Sequence, residues 1–182
     1  CNAFPKEAMD VNLEGSYNLF GAAIHENVKK VIYASTSSVY GQPEYLPMDE
    51  KHPTNPGTPY GSTKLCADHF MQFLSKKHSL KYIGFRYFNV YGTHQSTDAY
   101  YTSVINVFLK RVLNGQSPII HGSGEQTLDF THVSDVVRAN LAALESDVEN
   151  EIFNVGYGEE HSLKELAEII IKILDLNICL LY

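Results

Sequence analysis

A chain of 182 residues and 20.4 kDa is long enough to bury a core without disulfides or metals. With 44% hydrophobic, 12% aromatic and 19% charged residues, it falls outside the disordered, collagenous and coiled-coil classes. The 14 Lys+Arg against 21 Asp+Glu leave a net charge of −7, and no basic run exceeds Lys29-Lys30 or Lys76-Lys77, which argues against a nucleic-acid partner.

The cysteines Cys1, Cys66 and Cys179 are odd in number and far apart, a pattern that fits neither a disulfide framework nor a zinc knuckle and suits a reducing, cytoplasmic setting. Cys66 is expected to be a buried structural thiol. The N-terminus reads as a cut end with no secretory leader pattern. The apolar stretch from Ile169 to Tyr182 carries Lys172 and Asp175 and is shorter than the roughly 20 residues of a membrane span, so a buried helix is expected there.

Taken in chain order, apolar residues from Met9 to about Glu26 recur at helical spacing, and Val31-Ile32-Tyr33-Ala34 reads as a short buried strand ending in hydroxyls. Pro43, Pro47, Pro53, Pro56 and Pro59 make residues 41–59 an irregular loop. A helix is predicted from about Tyr60 to Lys77, a strand over Lys81–Arg86, a helix over Tyr101–Leu113 and a short extended piece at Pro118–His121. Gly122-Ser123-Gly124 is read as a plain turn, and Ser134 as the cap of a helix running to about Leu144. Ile152–Val155 is expected to be the last strand, and Ser162 with Glu165 has the spacing of a capping box that opens a final helix. The alternation implies βαβ units and a largely parallel sheet.

Tyr60 and Lys64 lie four residues apart, hence on one face of their helix. A phenol is a poor base at neutral pH, and a nearby ammonium favours its phenolate, while the same ammonium can hold a ribose hydroxyl. The pair alone is also what an ordinary helix surface offers. The hydroxyl-rich turn Ser35-Thr36-Ser37-Ser38 leaves the C-terminal end of a strand, where ligands bind in open α/β sheets and where a hydroxyl can relay a proton. The histidines show no H-x-x-x-H pair and no cysteine at ligand spacing, so no metal site is expected.

Four segments, Tyr33–Gly41, Pro59–Lys64, Phe85–Gly92 and Asp129–Val137, resemble in order and spacing the extended short-chain dehydrogenase/reductase family. The resemblance is strongest to nucleotide-sugar epimerases of the UDP-glucose or UDP-N-acetylglucosamine 4-epimerase kind. It implies an α/β fold with a partial doubly wound, Rossmann-like parallel sheet and part of a smaller C-terminal substrate domain. Residues 1–92 would form the later part of the dinucleotide-binding domain. Residues 93–182 would be a mixed segment contributing to the substrate domain and returning to the main sheet.

By the same resemblance Tyr60 is the catalytic base, Lys64 holds the nicotinamide ribose and favours the phenolate, and Thr36 bridges the sugar 4-hydroxyl. Asn12, Ser35, Tyr87 and Phe88 would join Tyr60 and Lys64 around NAD. Asn89 would bond the diphosphate of a UDP-sugar, with Ser103, Val104, Ile119, Ile120 and His121 in the substrate region. In the family, NAD takes a hydride from C4, the 4-keto sugar turns over, and the hydride returns to the other face. A homodimer through helices around 9–26 and 60–77 and a place in polysaccharide biosynthesis are also implied.

Dehydratases and decarboxylases of this family carry acidic residues just after the catalytic Thr. Ser37-Ser38 stand here instead and favour epimerisation. Two departures leave a non-catalytic member of the family as the rival reading. The glycine-rich turn that cradles a pyrophosphate is absent from the sequence, and Leu128 stands where the family usually has a phosphate-binding Arg.

Overall fold

The computed structural model describes residues 4–96, 103–176 and 179–181. Two units are formed, one from Cys1–Phe88 and Val136–Val155, the other from Asn89–Asp135 and Gly156–Tyr182.

The first unit opens with helix α1 (Pro5–Ala8), which continues through a π-helical turn (Met9–Glu14) into α2 (Gly15–His25). Strand β1 (Lys30–Thr36) follows and closes in a 3₁₀ turn (Ser37–Val39) capped by Thr36, whose hydroxyl accepts the Ser38 N–H. After the proline-rich loop comes α3 (Pro59–His78). Its start is written in Thr58-Pro59: the Thr58 hydroxyl accepts the Gly61 N–H at 3.1 Å, and proline suits the first helical turn. Its end carries Lys76, Lys77 and His78, cations suited to the negative end of the helix dipole.

Strand β2 (Lys81–Tyr87) lies between β1 and a later strand, β6 (Glu151–Val155), both parallel to it. In the second unit β3 (Val90–Tyr91), α4 (Val104–Leu113), β4 (Thr127–Asp129) and β5 (Thr131–His132) come next. Helix α5 (Val133–Glu145) and β6 (Glu151–Val155) return the chain to the first unit. Strand β7 (Glu160–Ser162), antiparallel to β4, and α6 (Leu163–Ile173) end the described elements.

Side chains alternate across β2. Tyr82 packs with Phe20, Ala23, Met71 and Leu74 of α2 and α3, while Ile83 and Phe85 pack with Ala139 and Ala143 of α5 on the other face. Helices thus cover both faces of a parallel sheet, the doubly wound arrangement. A separate core of Phe108, Val112, Ile120, Ala167 and Ile170 holds the second unit. Each such large side chain, fully buried, contributes about 1.5–3 kcal/mol, so these apolar layers carry the stability.

Several sequence expectations need correction. Strand β1 is buried only at Ser35 and Thr36, because among the described residues it pairs on one side only. Ser134 is not a cap: α5 begins at Val133, and the His132 ring accepts the Ser134 N–H at 3.3 Å. The last strand is β7, not Ile152–Val155. The C-terminal helix stops at Ile173, which is 75% exposed, so only the Ala167–Ile170 face is buried. Cys66 is exposed. At about 100° per residue it projects some 200° around α3 from Lys64, away from the sheet. The expected start of the Tyr101–Leu113 helix at residues 101–102 lies outside the described residues, as does Cys1, and Ser103 caps α4.

Candidate active site

Thr36 stands at the C-terminal end of β1, buried. Its hydroxyl donates to Ser38 Oγ at 3.2 Å and accepts the Ser38 N–H at 3.2 Å, which folds the turn tightly. Beside it, the Ser35 hydroxyl is 3% exposed and has no hydrogen-bond partner among the described residues.

Tyr60 and Lys64 occupy the first turns of α3, both half-buried. That end of the helix lies directly on the Thr36 turn: a Cβ on Gly61 would come 2.5 Å from the Ser38 carbonyl oxygen. Neither the Tyr60 hydroxyl nor the Lys64 ammonium has a hydrogen-bond or ion-pair partner among the described residues. Burial pushes the Lys64 ammonium below the ordinary lysine range, and the Asp68 carboxylate partly offsets this.

Asn12 sits in the π-helical turn, a feature that often marks functional places in helices. Its amide nitrogen donates to Thr63 Oγ1 at 3.2 Å, and the Thr63 hydroxyl donates to the Tyr60 carbonyl at 2.9 Å. The π-turn therefore braces the start of α3. Tyr87 accepts a hydrogen bond from Asn140 at 2.8 Å, and the Phe88 ring lies 6.4 Å from that of Tyr40. All of these residues belong to the first unit.

The other candidates belong to the second unit. Asn89 has a positive φ of 32° and donates to the Asp129 carbonyl at 2.8 Å. Ser103 caps α4 by accepting the Asn106 N–H at 3.4 Å, and Val104 packs against the local core. Ile120 is 1% exposed and committed to that core, whereas Ile119 and His121 reach the surface. Leu128 stands on β4 opposite His161 of β7.

One cluster was missed in the sequence. Asp68, fully buried on the inner face of α3, accepts Arg86 Nε and Nη2 on Oδ2, both at 3.3 Å, and the Tyr33 hydroxyl on Oδ1 at 3.1 Å. Arg86 Nη1 donates to the Tyr40 hydroxyl at 3.0 Å, and that hydroxyl donates to Asn154 Oδ1 at 2.6 Å. A signal for it existed: Arg86 is a charge inside an otherwise buried strand, and Asp68 is four residues beyond Lys64.

The arrangement puts an unpaired phenol, an unpaired ammonium and a buried unpartnered hydroxyl on elements packed at the C-terminal end of a parallel strand. Such a donor set suits a ligand rich in hydroxyls. Among the described residues no group of His, Cys, Asp and Glu is arranged to hold a metal. No described helix is long and apolar enough to cross a membrane.

The doubly wound α/β fold places these residues at the carboxyl end of a parallel strand, where such sheets bind ligands. The chain belongs to the NAD dependent epimerase/dehydratase family, whose pattern matches residues 1–156. It is 41% identical over 162 residues to a Methanocaldococcus jannaschii protein provisionally named UDP-glucose 4-epimerase, a match covering 88% of this chain and 52% of that protein. It is 37% identical over 164 residues to the human dTDP-D-glucose 4,6-dehydratase, covering 90% of this chain and 46% of that one. Among solved structures, the UDP-N-acetylglucosamine 4-epimerase from Methanobrevibacter ruminantium M1, in complex with UDP-N-acetylmuramic acid, superposes with a TM-score of 0.95 at 36% identity. That match covers 100% of this chain and 58% of that one. The chain thus spans about half the length of the curated relatives it matches.

Proposed function

We propose that this chain carries the reaction face for NAD-dependent epimerisation at C4 of a UDP-hexose or UDP-N-acetylhexosamine, through a transient 4-keto sugar. One observation carries the reading: Tyr60 and Lys64, both unpaired, share the face of α3 whose first turn rests on the Thr36 turn. The residues 1–92 are read as the later part of a dinucleotide-binding domain, and 93–182 as a segment shared between the substrate domain and the main sheet.

The donor set fits NAD. The Ser35 hydroxyl and the Lys64 ammonium, both without partners among the described residues, supply what a ribose and its nicotinamide need; Tyr87 pairs with Thr36 at the same end of the sheet with Phe88 next to it, and Asn12 braces the start of α3. When bound, the cofactor contributes reversible redox chemistry at the sugar carbon. Lys64 holds ribose hydroxyls and stabilises negative charge on the neighbouring phenol. Tyr60 takes the proton of the sugar 4-hydroxyl and gives it back, which leaves the carbonyl free to form and to revert. Thr36 orients that hydroxyl through its remaining lone pair. In the second unit, Asn89 is assigned to the diphosphate, and Ser103, Val104, Ile119, Ile120 and His121 to the substrate region.

The dehydratase reading is favoured by the human relative. Water loss needs an added acid and base beside the sugar, and the turn after Thr36 offers only Ser37 and Ser38. Epimerisation needs no such groups.

The test is calorimetric titration of NAD into the chain, followed by incubation with NAD and either UDP-glucose or UDP-N-acetylglucosamine and chromatography of the products. The 4-epimer supports the proposal. A 4-keto-6-deoxy or a pentose product selects the dehydratase or decarboxylase reading, and absence of both NAD binding and turnover identifies a non-catalytic chain. A homodimer is also proposed. Tyr17 and Leu19 of α2 and Phe70 and Phe73 of α3 are exposed, and the Tyr17 and Phe70 rings meet edge to face at 5.7 Å. Sedimentation showing only monomer at high concentration would remove it. The exposed thiols of Cys66 and Cys179 suit a reducing cytoplasm, and a sugar nucleotide of this kind suits polysaccharide biosynthesis.

A further inference from the structure

Asp68 lies four positions beyond Lys64, which lies four beyond Tyr60, so the three follow one another along one side of α3. A carboxylate with no exposure is tolerated only when its lone pairs are used, and here both oxygens are occupied. Arg86 and Tyr33 reach it from neighbouring strands: Tyr33 is in register with Gly84, two residues before Arg86 on the same face of β2. The close approach of the Tyr33 ring requires that glycine, since a Cβ there would stand 2.7 Å from the ring. The orientation of the carboxylate is therefore fixed by β1 and β2 together. Lys64 has the opposite situation, half-buried and without an ion pair among the described residues.

We propose that Asp68 is a positioning residue that keeps the Lys64 ammonium charged on the reaction face, its carboxylate locked in place by Arg86 and Tyr33. The inference rests on the epimerase reading only for what the charge is used for. The groups facing Asp68 are Arg86 and Tyr82 from β2, Tyr33 from β1 and Lys64 from its own helix, with Tyr40 reached through Arg86. Of these, Tyr33 and Tyr82 are held above the ordinary phenol range, first by burial, and stay neutral. Arg86 is held charged: burial opposes its charge, but Tyr40 and Asp68 outweigh that. Lys64 is the remaining group whose charged form Asp68 favours against burial. A low local dielectric lets the carboxylate act beyond hydrogen-bond distance.

The test follows the Lys64 titration by NMR in the full chain with ¹³Cε-labelled lysine, the Lys64 resonance being assigned by its loss in Lys64→Met. In Asp68→Asn the Lys64 midpoint moves to lower pH, and in Asp68→Glu it stays near the parent value. A merely structural Asp68 would lower the melting temperature and leave the midpoint in place, which overturns the proposal. Since Asp68→Asn leaves Arg86 buried and unpaired, Asp68→Asn/Arg86→Gln is measured alongside; it buries no unpaired charge, and a downward shift is expected that is smaller because a cation is lost with the anion. An unchanged midpoint in that folded double variant also overturns the proposal. Separately, unchanged NAD affinity in Lys64→Met would remove the ribose role while the Asp68 dependence of Lys64 stood, so the two failures are told apart.

Discussion

The Ser38 carbonyl oxygen occupies the space a side chain at Gly61 would need, 2.5 Å from its ideal Cβ. Missing atoms at one residue thereby set how near the turn bearing Thr36 lies to the helix bearing Tyr60 and Lys64. Gly61→Ala must push the two apart, at about 1–3 kcal/mol for forced overpacking. Denaturant unfolding will show the loss, and turnover should fall more than stability accounts for.

Tyr60→Phe removes one oxygen from a half-buried ring and nothing from the core. Unfolding should match the parent, while the proposed epimerisation drops by about 100-fold or more, the scale of a lost general base. Parent-like turnover would refute the assigned role.

Lys64 carries a pH signature. Its folded-state value lies below the unfolded 10.5, by burial, so at neutral pH folding works against its charge. Between the folded value and 10.5 the unfolded chain binds more protons, so stability rises with pH in that window. Lys64→Met should be more stable than the parent at pH 7, with the gap closing as pH approaches 10.5. Thermal melts across pH measure it, and a constant gap would rule out the burial effect.

Ser162 and Glu165 form a reciprocal cap, with bonds of 3.1 and 2.8 Å. Ser162→Ala should destabilise α6 by about 1 kcal/mol. The Glu165 carboxyl is held below its usual 4.5 by the Ser162 bonds, so its share is present above that pH and is lost as pH falls through the lower folded value. Because Ser162→Ala keeps the residue-162 N–H that Glu165 accepts, melting temperatures of parent and variant should both fall in acid while most of the gap between them persists.

That cap was legible from four consecutive residues because its chemistry is local, and so were the proline-rich loop and α3, whose signals lie within a turn of each boundary. The pairs β3 with β5 and β4 with β7 were not. Strands of two or three residues have no periodicity to read, and Leu128 becomes a strand residue only through His161, far along the chain. Thr36, Tyr60 and Lys64 became candidates through the four segments that resemble the family, since the spacing of Tyr60 and Lys64 alone is what an ordinary helix surface offers. Asp68 and Arg86 escaped because their meaning lies in each other, across 18 residues.

The π-helical turn at Met9–Glu14 acts as a phase shifter. One surplus residue rotates Pro5–Ala8 by about 100° relative to Gly15–His25, so the two helical stretches no longer present a common stripe. Deleting any single residue of that turn would restore uniform winding and swing Asn12 off Thr63. The length of this stretch, more than the identity of most residues in it, is therefore what evolution or an engineer is least free to change.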